Sequence, residues 1–278
     1  MTTTGNPAVG RDVVADGIRT NYLESGSGDR HVVFVHGSGP GVTSYANWRL
    51  VLPEIGQDFH CIAPDMVGFG YSDRPADVTY SLDTWADQTL GVMDSLGIEK
   101  AHLIGNSFGG AIALRLATQH PERVDRMVLM GSMGVPFELT EGLDNVWGYQ
   151  GTLEHMKTVM GYFAYDEALT SGDLAQARFE GATQPGFQES FSAMFPAPRQ
   201  RWVEAMTVDE KDIRGLPHRT LIVHGREDQV IPLSTSYRLL DLLDNADLSV
   251  FSHCGHWSMI ERTADFNRLV RGFFLGEQ

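Results

Sequence analysis

Short apolar runs alternate along the chain with longer stretches whose apolar positions recur every three or four residues. His31-Val32-Val33-Phe34-Val35, His60-Cys61-Ile62-Ala63, Ala101-His102-Leu103-Ile104, Met127-Val128-Leu129-Met130 and Thr220-Leu221-Ile222-Val223 are such runs, each meeting a Gly or Pro within a few residues. Strands that are apolar on both faces belong to a parallel sheet covered on each side by helices. Ahead of them, Val13 to Ala15 and Ile18 to Leu23 flank Asp16-Gly17, a pair that tolerates positive φ at both positions, so a hairpin is expected. Helical spacing covers Asp83 to Leu96, Phe108 to His120 (stopped by Pro121), Tyr237 to Leu243 and Asp265 to Phe274. Strand alternating with helix indicates an α/β sheet. The rhythm breaks between about Val135 and Pro217, a Gly-, Met- and aromatic-rich stretch of helical pattern without a convincing strand. The organisation expected is a core made of residues 1–134 and 218–278, with a helical lid, residues 135–217, inserted over the edge of the sheet where ligands bind.

Charge narrows the partners. The 278 residues carry 36 Asp and Glu against 21 Lys and Arg, a formal net charge of −15. Such a surface repels phosphate backbones and anionic membranes, so no nucleic acid and no membrane partner is expected, although a local arginine is still able to hold a small anion. Cys61 and Cys254 are too few for a disulfide framework. The first residues lack a secretory apolar segment, and no apolar run approaches the roughly 20 residues of a spanning helix, so a soluble cytoplasmic protein is expected.

The strongest chemical signal is Gly105-Asn106-Ser107-Phe108-Gly109-Gly110, between a predicted strand and an alanine-rich helix. A serine in a G-x-S-x-G turn needs small neighbours because the backbone bends sharply there. The bend raises the hydroxyl above the sheet and places the next N–H at a helix start, aimed at developing negative charge. A serine hydroxyl needs a base, and the base needs an orienting acid. His256, in Cys254-Gly255-His256-Trp257, follows the expected last strand Leu248 to Phe251, and Asp228 follows the strand ending at Val223. The order Ser, Asp, His is that of an α/β-hydrolase. Glu227 is the rival acid; Asp228 is preferred because Asp at that distance from the strand is the commoner arrangement. His36-Gly37-Ser38-Gly39-Pro40-Gly41 turns backbone N–H groups toward a cavity, as a second oxyanion donor requires. Dinucleotide binding is rejected, because Val42 stands where G-x-G-x-x-G needs glycine and Pro40 lacks an N–H. His253-Cys254-Gly255-His256 is a weak zinc pattern with no second ligand pair, so no metal is expected.

The motifs together resemble a family. H-G-S-G-P-G, Asn47-Trp48, the stretch Ala63 to Pro75, G-N-S-F-G-G, Thr140 to Tyr149, Gln184 to Trp202, His224 to Pro232 and C-G-H-W look like the meta-cleavage product hydrolases, nearest the 2-hydroxymuconate-semialdehyde hydrolase branch, over about Gly10 to Phe274. That resemblance implies an α/β-hydrolase fold with a mostly parallel eight-stranded sheet and a helical lid. It implies cofactor-free hydrolysis of a carbon–carbon bond in 2-hydroxy-6-oxohexa-2,4-dienoates, and homo-oligomers. It implies Ser107, His256 and Asp228 as the triad, the N–H groups of Ser38 and Phe108 as the oxyanion hole, and Arg178, Asn47, Asn106 and Trp257 as substrate contacts. Phe163, Phe191, Met194, Phe195 and Trp147 are expected to supply either the apolar pocket wall or the lid's own core. Ser38 departs from the family's commoner glycine. An acyl-enzyme and a gem-diol route are both open, and a carboxylesterase on the same fold or a non-catalytic binder are the competing readings.

Overall fold

The computed structural model describes residues 5–170 and 172–277. Its centre is an eight-stranded sheet made of β1 (Arg11–Ala15), β2 (Ile18–Ser25), β3 (His31–Val35), β4 (His60–Pro64), β5 (Ala101–Asn106), β6 (Val124–Met130), β7 (Arg219–Gly225) and β8 (Ala246–Phe251), in the order β1-β2-β4-β3-β5-β6-β7-β8. β2 pairs antiparallel with both β1 and β4, and every other pairing is parallel. The first hairpin turns through Asp16 at φ 49° and Gly17 at φ 75°, the left-handed pair that matches the twist of the flanking strands. All six residues of β5 are buried, as a strand covered on both faces must be.

In chain order the helices are α1 (Ser44–Trp48), α2 (Leu52–Ile55), α3 (Leu82–Ser95), α4 (Phe108–Gln119), α5 (Glu141–Trp147), α6 (Leu153–Phe163), α7 (Gly172–Ala182), α8 (Phe187–Met194), α9 (Gln200–Ala205), α10 (Glu210–Arg214), α11 (Ser234–Leu242), α12 (Ser258–Glu261) and α13 (Thr263–Leu275). Helices α5 to α10 all fall between β6 and β7, and no described residue there lies in a strand. α11 begins three residues before its apolar spacing does, because Ser234, Thr235 and Ser236 are weak helix formers that tertiary contacts hold in place: Thr235 and Ser236 are buried, and Ser236 bonds His224.

The glycines around Ser107 explain how α4 sits on the sheet. A Cβ on Gly109 would lie 2.2 Å from the carbonyl oxygen of Val35, and one on Gly105 would lie 2.4 Å from the carbonyl oxygen of Gly109. The helix start therefore rests directly on the backbone of β3 and β5, and Ala111, Ala113 and Ala117 keep the rest of it close. Among the described residues no helix is long and apolar enough to cross a membrane.

Candidate active site

Ser107 occupies the bend between β5 and α4 at φ 55°, ψ −115°, a conformation costing a non-glycine residue about 1–3 kcal/mol. Three backbone bonds hold it there. Its N–H donates to Met130 O at 2.8 Å, and its carbonyl accepts from Gly110 N and Met133 N at 3.0 Å each. The amide of Phe108 is the first of α4, with no partner inside the helix. The Phe108 ring turns away into the core, 4.6 Å from Trp85 between centroids.

Asp228 lies just past β7. Its Oδ1 accepts from the amides of Val230 and Ile231 at 2.8 and 2.9 Å, and its Oδ2 receives His256 Nδ1 at 2.7 Å and lies 3.3 Å from His224 Nε2. Burial by itself would raise this carboxyl, but the two imidazoles outweigh it and hold the group well below the usual carboxylate range. Glu227 faces elsewhere. It pairs with Arg226 at 2.7 Å and accepts from the Cys254 amide at 3.0 Å, which fixes the loop before His256 without touching the imidazole. The His256 amide itself donates to the carbonyl of Phe163, the last residue of α6, at 2.8 Å.

Ser107 and His256 line one small cavity, together with Gly37, Ser38, Asn47, Asn106, Phe163, Arg178 and Trp257. Of the residues singled out from sequence, these meet in space. Asn47 Nδ2 is buried and has no partner among the described residues, while its Oδ1 accepts from the Gly37 amide at 3.5 Å. Arg178 sits with its guanidinium 5.0 Å above the Trp257 ring and 3.5 Å from Gly41 O, paired with no carboxylate of the described residues. Burial, reinforced by Arg49, lowers it to about 10, so it remains charged at neutral pH. Asn106 reaches Met130 O at 3.4 Å.

The apolar set divides. Phe163 lines the cavity and stacks on Trp257 at 4.6 Å between centroids. Phe191, Met194, Phe195 and Trp147 do not line it: Phe191 packs on Phe69 and Phe195 on Trp147 and Phe108, so of the two roles open to these four the core role is the one observed. The apolar wall comes instead from Val42, Leu143, Val146 and Val230. Periodicity marked none of these as facing a ligand rather than the protein. His36 was also missed. Its Nε2 accepts from the Met66 amide at 3.0 Å, so Nδ1 carries the proton and donates to Gly37 O at 2.7 Å, bracing the loop that carries Ser38. Among the described residues no three His, Cys, Asp or Glu side chains converge as a metal site.

The chain matches the alpha/beta hydrolase fold family over residues 30–263. It is 56% identical to a 2-hydroxymuconate semialdehyde hydrolase of Pseudomonas sp. strain CF600, over 98% of this chain and 95% of that protein. It is 52% identical to a 2-hydroxy-6-oxo-2,4-heptadienoate hydrolase of Pseudomonas putida, over 99% of each. The chain belongs to the meta-cleavage product hydrolases. A solved member of this family from Pseudomonas fluorescens IP01, in complex with acetates, superposes with a TM-score of 0.96 at 53% identity, covering 98% of this chain and all of that one. The fold, the eight-stranded sheet and the hydrolase class expected from sequence are those observed. In this chain the cavity described above brings Ser107, His256 and the guanidinium of Arg178 together.

Proposed function

We propose that this protein hydrolyses the carbon–carbon bond of 2-hydroxy-6-oxohexa-2,4-dienoates, 2-hydroxymuconate semialdehyde and its 6-alkyl analogues, in the breakdown of aromatic compounds. The products are 2-hydroxypenta-2,4-dienoate and a carboxylic acid. One observation carries this over a simple esterase: the cavity of Ser107 and His256 also holds the Arg178 guanidinium, unpaired and partly withdrawn from water. A plain ester asks for no such group. A dienoate has a carboxylate for it, bound through two parallel hydrogen bonds.

The chemistry follows from what a carbon leaving group lacks. With no heteroatom to take the electrons, the dienol must first become the keto tautomer, whose vinylogous system then accepts them as a stabilised dienolate. Arg178, Asn47 and Trp257 hold the carboxylate and 2-oxo end, with Asn106 beside the nucleophile. His256, oriented by Asp228, moves the protons. Ser107 Oγ attacks the C6 carbonyl as its proton passes to His256, and the N–H groups of Ser38 and Phe108 receive the oxyanion, each such donor contributing about 3–4 kcal/mol. The bond to C6 then breaks with its electron pair entering the dienolate, and water releases the acid. Residues 135–217 act as the lid that excludes bulk water, and the protein works as a cytoplasmic homo-oligomer without a cofactor.

The test is bleaching of a yellow 6-substituted dienoate by purified protein with no added metal or nucleotide. Ser107→Ala should bind the substrate and lose turnover by several orders of magnitude. Full activity in that variant, or inertness of the parent protein toward every dienoate, would sink the reading.

A further inference from the structure

The two residues assigned to the oxyanion hole are held by one pair of aromatic side chains from the lid. Trp147, at the end of α5, donates its indole N–H to Ser38 Oγ at 2.9 Å, with both residues buried. Trp147 also lies face to face with Phe195, centroids 4.3 Å apart and planes 10° from parallel. Phe195 meets the Phe108 ring edge-on at 6.5 Å. A lid tryptophan and its stacking partner thus touch Ser38 on one side and Phe108 on the other.

Ser38 needs such an anchor. It stands between Gly37 and Gly39, which have no side chains to anchor the loop, and the peptide that carries its amide is held from the other end, by His36 at Gly37 O. The loop is braced before Ser38 by His36 and after it by the bond from Val42 N to Gly39 O at 3.2 Å. At Ser38 itself the Trp147 contact is the one side-chain hydrogen bond among the described residues. The dependence runs both ways, because a buried indole N–H without an acceptor is costly, and Ser38 is the acceptor this one has.

We propose that Trp147 is a positioning residue: through Ser38 Oγ it pins the residue whose amide belongs to the peptide that His36 holds at the Gly37 carbonyl, so that the two together fix the Ser38 amide, and seating the lid and completing the oxyanion hole are one event. The inference rests on the function proposed above for the assignment of the Ser38 and Phe108 amides as oxyanion donors. A donor aimed in advance stabilises the tetrahedral species without reorganising, whereas a loosened one must be paid for during the reaction. Since the oxyanion forms only in that species, loss of the anchor acts on kcat and leaves ground-state binding alone.

A double-mutant cycle of Trp147→Phe and Ser38→Ala tests it. Trp147→Phe keeps the stacking ring and removes the N–H; Ser38→Ala keeps the backbone amide and removes the acceptor. Each single variant should lower kcat on the 6-methyl dienoate about tenfold, with KM within about twofold, and the double variant should be no worse than the poorer single. Calorimetric titration with n-butylboronic acid, which forms a tetrahedral anion on a reactive serine, should show the same roughly tenfold weakening and the same non-additivity. Losses that multiply to about a hundredfold in the double variant, or boronate affinity unchanged in both singles, would overturn the proposal. Should Trp147→Phe fail to fold, Ser38→Ala decides alone, since it removes the same bond from the core side; undiminished boronate affinity there overturns it. A parent protein that binds boronate but leaves dienoates intact refutes the substrate assignment instead, and the boronate cycle still reports on Trp147.

Discussion

The carbonyl of Phe163, where helix α6 ends, accepts a hydrogen bond from the His256 amide at 2.8 Å. His256 is thereby tied through its own backbone to the end of α6. The same carbonyl takes the Trp257 amide at 3.2 Å, and the Phe163 ring stacks on the Trp257 indole. A Cβ on Gly255 would lie 2.8 Å from Phe163 O and 2.9 Å from Tyr165 N, both backbone atoms with no room to yield. Gly255→Ala should therefore lose most of kcat by displacing His256, while the melting temperature falls only a few degrees. Phe163→Ala keeps the carbonyl but opens a cavity, and should cost about 3–5 kcal/mol of stability. Urea unfolding and steady-state kinetics on the two variants separate the effects; a fully active Gly255→Ala would show that the tie does not matter to catalysis.

Two adjacent acids can be told apart. Asp228 Oδ2 receives His256 Nδ1 at 2.7 Å, while Glu227 is occupied by Arg226 and the Cys254 amide. Asp228→Asn should lower kcat by about 10³–10⁴-fold, because an amide in that place favours the wrong imidazole tautomer. Glu227→Gln should change kcat by less than about tenfold, since it weakens one charge-assisted bond to a loop amide. The reverse ranking would move the acid to Glu227.

Arg178 offers a test of substrate class. Replacing it by alanine removes a charge-assisted contact to the dienoate carboxylate, of order 2 kcal/mol, so KM should rise about thirtyfold. Cleavage of p-nitrophenyl acetate, which carries no carboxylate, should change by less than about threefold. Arg178→Lys should recover only part of the loss, because an ammonium lacks the planar two-pronged donor. Equal damage to both substrates would mean that Arg178 holds the site's shape and not the substrate.

What could be read in the residues was what local physics dictates. The strands were visible because a doubly covered strand must be apolar throughout, and the Asp16-Gly17 turn because few pairs accept positive φ twice. The serine turn was visible because its glycines meet backbone atoms at 2.2 to 2.4 Å, leaving no other residue type possible. Contacts between distant segments left no local trace. Trp147 and Ser38 are 109 positions apart, and nothing in α5 says which of its residues will meet the loop of Ser38. Likewise, the apolar faces of α6 and α8 show that Phe163, Phe191 and Met194 are buried, but not whether a cavity or the protein lies against them. Glu227 and Asp228 differ by one place, and only the amides of Val230 and Ile231, folded back onto one carboxylate, decide between them.

His36 supplies a prediction about acid stability that involves no substrate. It is fully buried, accepts from Met66 N and donates to Gly37 O, so its neutral form is the one the fold satisfies. Burial, with a smaller contribution from Arg178, lowers it from 6.5 to about 4. In the unfolded chain the imidazole takes up a proton near pH 6.5; in the folded protein it waits until about pH 4. Between those values the unfolded state binds more protons, so stability falls as the pH falls, and the contribution of His36 is intact above pH 6.5 and lost through pH 4. From pH 7 to pH 4.5 this one group should remove about 2 kcal/mol. His36→Asn, which retains a donor toward Gly37 O and has no proton to gain, should be less stable at pH 7. The gap between its unfolding free energies at the two pH values should nevertheless be about 2 kcal/mol smaller than in the parent, because the titrating surface groups are common to both proteins and cancel. Urea titrations at pH 7 and 4.5 measure that gap, and equal gaps in the two proteins would mean that His36 takes up its proton as readily in the folded state as in the unfolded one, with Met66 N then deprived of its acceptor.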